Sequence, residues 1–177
     1  MTKKDTFAEM TGTLASMTSE ERIKTLLSFK ELEGQRITSQ FLDDPEAGCM
    51  LKSFQRLTET TARATFAFKV TRFYCNGSGN LHGGAQSTIY DLTTSLTLMA
   101  IGKPGFWING GVSRVLTVNY LRPAPEGTEL ELETEVTAIG KSLAMLRAVL
   151  KIAKDGKIVS TCEHNKAAVV SKPNWKL

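Results

Sequence analysis

Residues 74–105, YCNGSGNLHGGAQSTIYDLTTSLTLMAIGKPG, decide the fold because they contain the long helix that the sequence predicts. Apolar residues within 84–101 recur at steps of three and four, which is the pattern of a helix with a buried face. The threonines of this run are poor helix formers, and part of it also has the even spacing of a strand. However, the run is too long for an ordinary strand, begins after glycines and stops at GKPG, residues 102–105. We therefore predict one long helix over 84–101.

The segments around this helix predict an antiparallel sheet. Residues 64–71 alternate apolar and polar side chains, which is typical of a half-buried strand. Turn sequences and tight hairpins separate four further predicted strands, at 112–121, 128–139, 142–152 and 157–169. A single long helix must cover one face of such a sheet. We therefore expect an α+β domain with a curved antiparallel sheet packed on the central helix.

The N-terminal part of the chain is predicted to be an extension over residues 1–50, followed by the main domain over 51–177. Residues 1–17 are polar and weakly patterned. Thr18 with Glu21 makes a capping box, and apolar residues follow at helical spacing, so we expect a helix at about 18–33.

Composition and charge exclude several classes of protein. The 177 residues are 41% hydrophobic and 23% charged, as in a packed globular domain. The net charge of +4 comes from scattered basic residues, so no nucleic-acid partner is expected. Three cysteines without C-x-x-C spacing argue against disulfides and indicate a reducing compartment. No secretory signal or membrane-spanning run is recognised, and we expect a cytoplasmic protein without membrane association; mitochondrial or peroxisomal location stays open.

The sequence motifs do not predict a cofactor or a metal. Residues 77–82 are one residue short of the G-x-G-x-x-G dinucleotide motif, because His82 replaces the third glycine and no βαβ unit follows. The GKS at 140–142 resembles the end of a phosphate-binding loop but lies between strands, as a hairpin turn would. The histidines and cysteines lack metal-ligand spacing, and we interpret His164 as a strand or surface residue.

A carboxylate and a helix N-terminus are the strongest candidates for chemistry. Gly83 and Gly84 open the predicted helix, where free backbone N–H groups can receive a developing oxyanion. Asp91 follows two turns later, beside the apolar stripe, where an aspartate is unfavourable. A solvated surface aspartate would be the better assumption for an arbitrary helix. The presence of both features in one short segment favours a catalytic carboxylate that acts on an acyl carbonyl.

Several motifs together resemble a known family. They are Asn76-x-x-Gly79-x-Leu81-His82-Gly83-Gly84 with Asp91, then Val112-Ser113, Tyr120-Leu121-Arg122-Pro123 and residues 140–144. This arrangement is similar to the hotdog-fold acyl-CoA thioesterases of the phenylacetate-type and thioesterase-superfamily-member-2 group. The resemblance covers about 57–168.

The resemblance implies a hotdog fold, homodimers that pair into homotetramers, and hydrolysis of an acyl-CoA thioester to a free acid and coenzyme A. By the same resemblance, Asp91 would be the nucleophile or the base that activates water, and Ser113 would help to hold that water. The backbone N–H of Gly83 would polarise the carbonyl, while Asn76 and His82 would position it or the water. Asp91 and Ser113 would face the other three residues across the dimer interface.

Alternatives stay open at this point. A non-catalytic hotdog module could bind acyl-CoA, or a thioesterase could release a fatty or polyketide chain from coenzyme A or a carrier protein. A hydratase or dehydratase is disfavoured because no Asp and His lie close together on one segment. The chain also departs from the family at Tyr74-Cys75 and Val115, and the segment 101–111 looks longer than in the human relative. The identity of the acyl chain is therefore not predicted.

Overall fold

The computed structural model describes residues 12–27 and 49–169. Its helices are α1, Ser19–Leu27, and α2, Gly83–Ile101; residues 12–16 are also helical, and a 3-10 turn spans Arg72–Tyr74. The strands are β1, Met50–Arg56; β2, Ala62–Lys69; β3, Val112–Tyr120; β4, Glu129–Ile139; β5, Leu143–Ile152; and β6, Ile158–Ala167. Within the described ranges, every helix is too short or too polar to cross a membrane.

The six strands form one antiparallel sheet in the order β1-β2-β4-β5-β6-β3, and α2 contacts five of them from one side. This confirms the predicted α+β layout of a long central helix wrapped by a curved sheet. The helix predicted over 84–101 is also confirmed, with one additional residue at its start. Strand β1 was not predicted. The part of the predicted N-terminal helix beyond Leu27, up to residue 33, lies outside the described residues.

The wrapping explains why the pattern of α2 is ambiguous in the sequence. A helix enclosed by a sheet is buried on most of its sides, so its apolar residues do not form a single clean stripe. Thr93, Thr94 and Thr97 are fully buried there. The hydroxyl of Thr93 donates to the Ile89 carbonyl at 2.7 Å and that of Thr97 donates to the Thr93 carbonyl at 2.9 Å. These bonds give the buried hydroxyls a hydrogen-bond partner within the helix, so the threonines can be buried there without an unpaired donor.

The N-terminal segment packs against the end of α2. Ile23 and Leu27 of α1 belong to the main hydrophobic core, and Leu14 is 2% exposed. The Arg22 side chain is also buried and donates hydrogen bonds to carbonyls at the C-terminal end of α2. Residues 12–27 are therefore part of the same packed body as the sheet, and the helical residues 12–16 were not expected from the sequence. The predicted domain boundary near residue 50 stays a prediction.

Candidate active site

The loop before α2 forms one half of the candidate site. The Asn76 side-chain oxygen accepts hydrogen bonds from the backbone N–H groups of Ser78, at 3.0 Å, and Asn80, at 3.1 Å. Asn76 therefore makes an Asx turn, which leaves its NH₂ group as the remaining donor of the side chain. Asn76 and Gly83 line the same open cleft, whose volume is about 460 Å³.

His82 caps the first turn of α2. Its Nδ1 atom accepts a hydrogen bond from the backbone N–H of Gly84 at 2.9 Å, so the hydrogen of the neutral ring lies on Nε2. The backbone N–H of Gly83 has no hydrogen-bond partner in the part of the chain that the structure describes. It lies at the positive end of the helix dipole, where a ligand oxygen can accept it.

Tyr120, at the end of β3, holds this first turn in place. Its hydroxyl donates to the Gly83 carbonyl at 3.0 Å and lies 2.8 Å from the Ser87 hydroxyl. A Cβ atom on Gly83 would lie 3.3 Å from the Tyr120 ring, a tight contact that the ring would have to relieve by moving a few tenths of an ångström. The position of the Gly83 N–H therefore depends on a residue of β3.

Asp91 and Ser113 form the second half of the candidate site, as the family resemblance implies. The Ser113 hydroxyl donates to Oδ1 of Asp91 at 2.6 Å, and the Asp91 side chain is 42% exposed. Oδ2 of Asp91 accepts no hydrogen bond from the described residues. This oxygen is therefore available to accept a proton from a water molecule.

A β-bulge orients Ser113 toward Asp91. In the pairing of β3 with β6, Ser113 lies opposite Lys166 and Val115 lies opposite Asn165, so Arg114 is an additional residue in β3. Strict alternation back from Leu116 would place Arg114, instead of Ser113, on the face that packs against α2. The bulge exchanges the orientations of these two side chains, so Ser113 points toward the Asp91 carboxylate.

His164 was missed as a site residue. It lies on strand β6, so its interpretation as a strand residue is confirmed. It is completely buried, so its interpretation as a surface residue is wrong. Its Nε2 atom lies 2.9 Å from the Ser113 hydroxyl and 3.3 Å from Oδ1 of Asp91, and its Nδ1 atom lies 2.7 Å from the Thr94 hydroxyl. Burial, aided by the charge of Lys166, lowers the pKa of His164 to about 4 although Asp91 opposes the shift. The imidazole is therefore neutral at neutral pH.

Lys166 was also missed. It lies two residues after His164 on the same face of β6 and is 4% exposed. Its Nζ atom donates to the hydroxyls of Ser95, at 2.7 Å, and Ser113, at 3.2 Å. Burial lowers the pKa of the ammonium, and the charge of Asp91 opposes that shift. The alternation of β6 is the sequence signal that could have placed both residues against α2.

The two halves of the candidate site do not meet within one chain. Asp91 follows Gly83 by eight residues on the same helix, which corresponds to an axial rise of about 12 Å. A single carbonyl group cannot contact the Gly83 N–H while a water molecule on Asp91 attacks it. The structure thus brings Asp91 to Ser113, and Asn76 and His82 to Gly83, but it does not join the two groups. Over the same described ranges, no cluster of three side chains suited to hold a metal ion is found.

Comparisons with known proteins identify the family. The model of the Thioesterase superfamily matches residues 78–159. The chain belongs to this superfamily. Mouse acyl-coenzyme A thioesterase 13 is 31% identical over 100 residues, which cover 55% of this chain and 67% of the mouse protein. The human protein of the same name is 30% identical over 100 residues, with the same coverage.

Solved structures show the fold. Mouse thioesterase superfamily member 2 has a TM-score of 0.63 and 24% identity, covering 90% of this chain and 98% of that one. The PaaI protein of the E. coli phenylacetic acid degradation operon has a TM-score of 0.58 and 19% identity, covering 70% and 80%. These neighbours confirm the hotdog fold that the motifs predicted.

Proposed function

We propose that this protein is an acyl-CoA thioesterase that hydrolyses an acyl-CoA thioester to a free acid and coenzyme A. The observation that carries the proposal is the Asp91–Ser113 hydrogen bond at 2.6 Å, which leaves one carboxylate oxygen for a water molecule. The names of the mouse and human relatives support the substrate class. A Streptococcus mutans structure of the same fold, with a TM-score of 0.58 and 16% identity over 78% of this chain and 97% of that one, is described as bound to acetyl CoA.

The residues divide the reaction between them. Asp91 accepts a proton from water at Oδ2 while Ser113 holds Oδ1, and the water oxygen attacks the thioester carbonyl carbon. The electron pair of the carbonyl moves to its oxygen, which accepts hydrogen bonds from the Gly83 N–H and from the Asn76 NH₂ group. Collapse of the intermediate breaks the carbon–sulfur bond, and the thiolate of coenzyme A receives the proton from Asp91. A thiolate leaves readily, so one carboxylate with oxyanion donors suffices for this chemistry.

Direct attack by Asp91 is the competing role for the same carboxylate. It would form a mixed anhydride, which water would then cleave. A single turnover in ¹⁸O-water separates the two, because only the nucleophilic route incorporates the label into the Asp91 side chain in part of the molecules. Oδ2 is the atom that would act in either route, since Ser113 engages Oδ1, and the labelling experiment therefore tests the role of base that we propose.

A homodimer built on β3 supplies the missing contact between the two halves. Strand β3 is an edge of the sheet, and most of its residues are exposed. An edge strand with unpaired backbone groups pairs readily with another strand. Ser113 lies near one end of β3 and Tyr120 at the other. Antiparallel pairing of two β3 strands about a two-fold axis would therefore bring the Asp91 half of one subunit to the Gly83 half of the second.

The first test is release of thiol from short, long and aryl acyl-CoAs by wild type, Asp91→Ala and Asp91→Asn. We expect hydrolysis by wild type and a loss of at least about a hundredfold in both variants, the magnitude of general-base catalysis. Full activity in both variants would refute the role of Asp91. Binding of acyl-CoA without hydrolysis by wild type would favour the non-catalytic module, and activity on acyl carrier protein alone would favour biosynthetic release.

Subunit complementation tests the shared site. Asp91→Asn and Asn76→Asp impair different halves, and the aspartate keeps the oxygen that makes the Asx turn at Asn76. Random reassociation of the two inactive variants should restore about one quarter of the intact sites, because half of the dimers are mixed and each has one complete site. The matched control combines Asp91→Asn with Ser113→Ala, which impair the same half and should stay inactive. No recovery in mixed dimers would place the whole site within one subunit. Homotetramers, lipid metabolism and cytoplasmic location stay predictions.

A further inference from the structure

Lys166 is a buried cation whose hydrogen-bond partners are both neutral. Its side chain is 4% exposed, and the described residues include no carboxylate within ion-pair distance of it. Its two acceptors, the hydroxyls of Ser95 and Ser113, each connect to Asp91. Ser95 donates to the backbone carbonyl of Asp91 at 2.6 Å, and Ser113 donates to its carboxylate at 2.6 Å. Burying a charge without an oppositely charged partner lowers stability, because the desolvation cost is not compensated.

The donors and acceptors around Ser113 limit how its hydrogen can be arranged. An ammonium group can only donate, so the Ser113 oxygen must accept from Lys166. An ionised carboxylate can only accept, so the single hydroxyl hydrogen of Ser113 goes to Asp91. The contact of Ser113 with Nε2 of His164, at 2.9 Å, then requires that Nε2 carries the hydrogen. The carboxylate thus sets the direction of the hydroxyl, and the ammonium that donates to the same oxygen polarises the O–H bond and strengthens its donation to Asp91.

We propose that Lys166 is a positioning residue for the reaction, because its ammonium group keeps the Ser113 hydroxyl directed at the Asp91 carboxylate and places a fixed positive charge behind that pair. The proposal rests on the proposed function, since it concerns the same carboxylate. Lys166 is too deeply buried to contact substrate, so its effect is exerted through Ser113. Loss of the cation would let the hydroxyl turn away from Asp91, toward His164.

The tautomer of His164 reports this arrangement directly. The groups that face the ring are Asp91 on α2, Ser113 on β3 and Lys166 on β6, while β5 contributes the apolar Leu146. With hydrogen on Nε2, the Nδ1 atom must accept from the Thr94 hydroxyl, at 2.7 Å. That hydroxyl has a competing acceptor, the Tyr90 carbonyl at 2.6 Å. The ring can therefore carry its hydrogen on Nε2 or on Nδ1. The charge of Lys166 favours hydrogen on Nε2, the arrangement in which the Ser113 hydroxyl donates to Asp91.

The first experiment uses nitrogen NMR of histidine-labelled wild-type protein at neutral pH. The chain has two histidines, so two ring systems are observed, and His82 is an internal control. We expect hydrogen on Nε2 of His164. In Lys166→Met we expect a shift toward the Nδ1 tautomer and a rise in the pKa of His164 above its wild-type value of about 4, while His82 is unchanged. Hydrogen on Nδ1 of His164 in wild type, or identical His164 signals in the variant, would overturn the proposal.

The second experiment measures kinetics with an acyl-CoA that wild type hydrolyses. Lys166→Met should lower kcat at least about tenfold, the effect of one charge-assisted hydrogen bond, with little change in KM. The matched control is Lys151→Met, which removes a lysine that pairs with Glu133 on the outer face of the sheet. Such a pair contributes little, and it makes no contact with Asp91 or Ser113, so kcat should stay within twofold. Ethylammonium should restore part of kcat to Lys166→Ala, and tetramethylammonium at equal ionic strength should not. A folded Lys166→Met variant with wild-type kcat would refute the proposal.

The two experiments separate the failure of this proposal from failure of the proposed function. If wild type hydrolyses no acyl thioester, the function is wrong, but the change in the His164 tautomer between wild type and Lys166→Met still decides whether Lys166 directs the Ser113 hydroxyl. If Lys166→Met does not fold, hydrogen on Nδ1 in wild type would still overturn the proposal, and the amine rescue of Lys166→Ala decides it.

Discussion

Arg22 provides a sharp test of how the N-terminal segment supports the fold. Its Nε atom donates to the Leu14 carbonyl at 2.8 Å, and its Nη1 atom donates to the carbonyls of Met99 and Gly102 at 2.8 Å each. The last carbonyls of a helix have no partners within the helix and carry the negative end of its dipole. Arg22 satisfies them with a buried positive charge and ties residues 12–27 to the end of α2.

The expected cost of Arg22→Met follows from these contacts. The Gly102 carbonyl loses its donor, at about 1–3 kcal/mol, while the carbonyls of Leu14 and Met99 keep one backbone N–H and lose the guanidinium, at about 0.5–1.5 kcal/mol each, so the contacts cost about 2–6 kcal/mol in all. Part of this is offset because the guanidinium no longer has to be buried and the methionine still packs, so we expect a net loss of about 2–4 kcal/mol. For a chain of this size, that loss lowers the Tm by about 4–16 °C. Arg22→Lys should give a smaller loss than Arg22→Met, because the ammonium still donates hydrogen bonds. It should not restore wild-type stability, because one ammonium cannot reach the carbonyls on both sides.

The assay is calorimetry at fixed protein concentration, together with hydrogen exchange of the α2 backbone. The Gly102 N–H, which donates to the Met99 carbonyl, should exchange faster in Arg22→Met than in wild type. Arg72→Met is the matched control, because that side chain is 72% exposed and lies 3.8 Å from Glu126. A Tm for Arg22→Met equal to that of the control, with unchanged exchange at Gly102, would refute the capping role.

Two further predictions concern the candidate site. Tyr120→Phe removes the hydroxyl that bonds to the Gly83 carbonyl, so we expect a lower kcat with at most about 0.5–1.5 kcal/mol lost in stability; an unchanged kcat would show that Gly83 needs no such support. Because burial lowers the pKa of His164 to about 4 from 6.5, the unfolded chain binds its proton first, and folding stability should fall by up to about 3 kcal/mol as pH drops from 7 to 4. Denaturant unfolding of wild type and His164→Gln across this pH range measures how much of the loss in unfolding free energy comes from His164. An equal pH dependence in the two proteins would contradict this prediction.

The fold was largely predictable because its main signals are local. The length of α2 and its stop at residues 102–105 distinguish it from a strand, and the hairpin turns separate β4, β5 and β6. Strand β1 was missed because MLKSFQR lacks a regular alternation, and its edge position leaves most of it exposed. The helical residues 12–16 were missed because their apolar contact depends mainly on one residue, Leu14.

The candidate site was predictable only in part. Asp91 and Gly83 share one segment, and the family resemblance added Ser113. His164 and Lys166 lie more than seventy residues after Asp91, so only the packing of β6 on α2 brings them together. Their alternation on one face of β6 predicts burial, but it does not specify which helix residue each one meets.

The bulge in β3 has a consequence for how relatives should be aligned. Arg114 is the additional residue, so a strand without it would return to regular alternation and still direct Ser113 toward α2. A strand of the same length without the bulge would direct the serine outward. Loss of a residue at 114 therefore keeps the serine directed at Asp91, and a one-residue gap in an alignment belongs at 114.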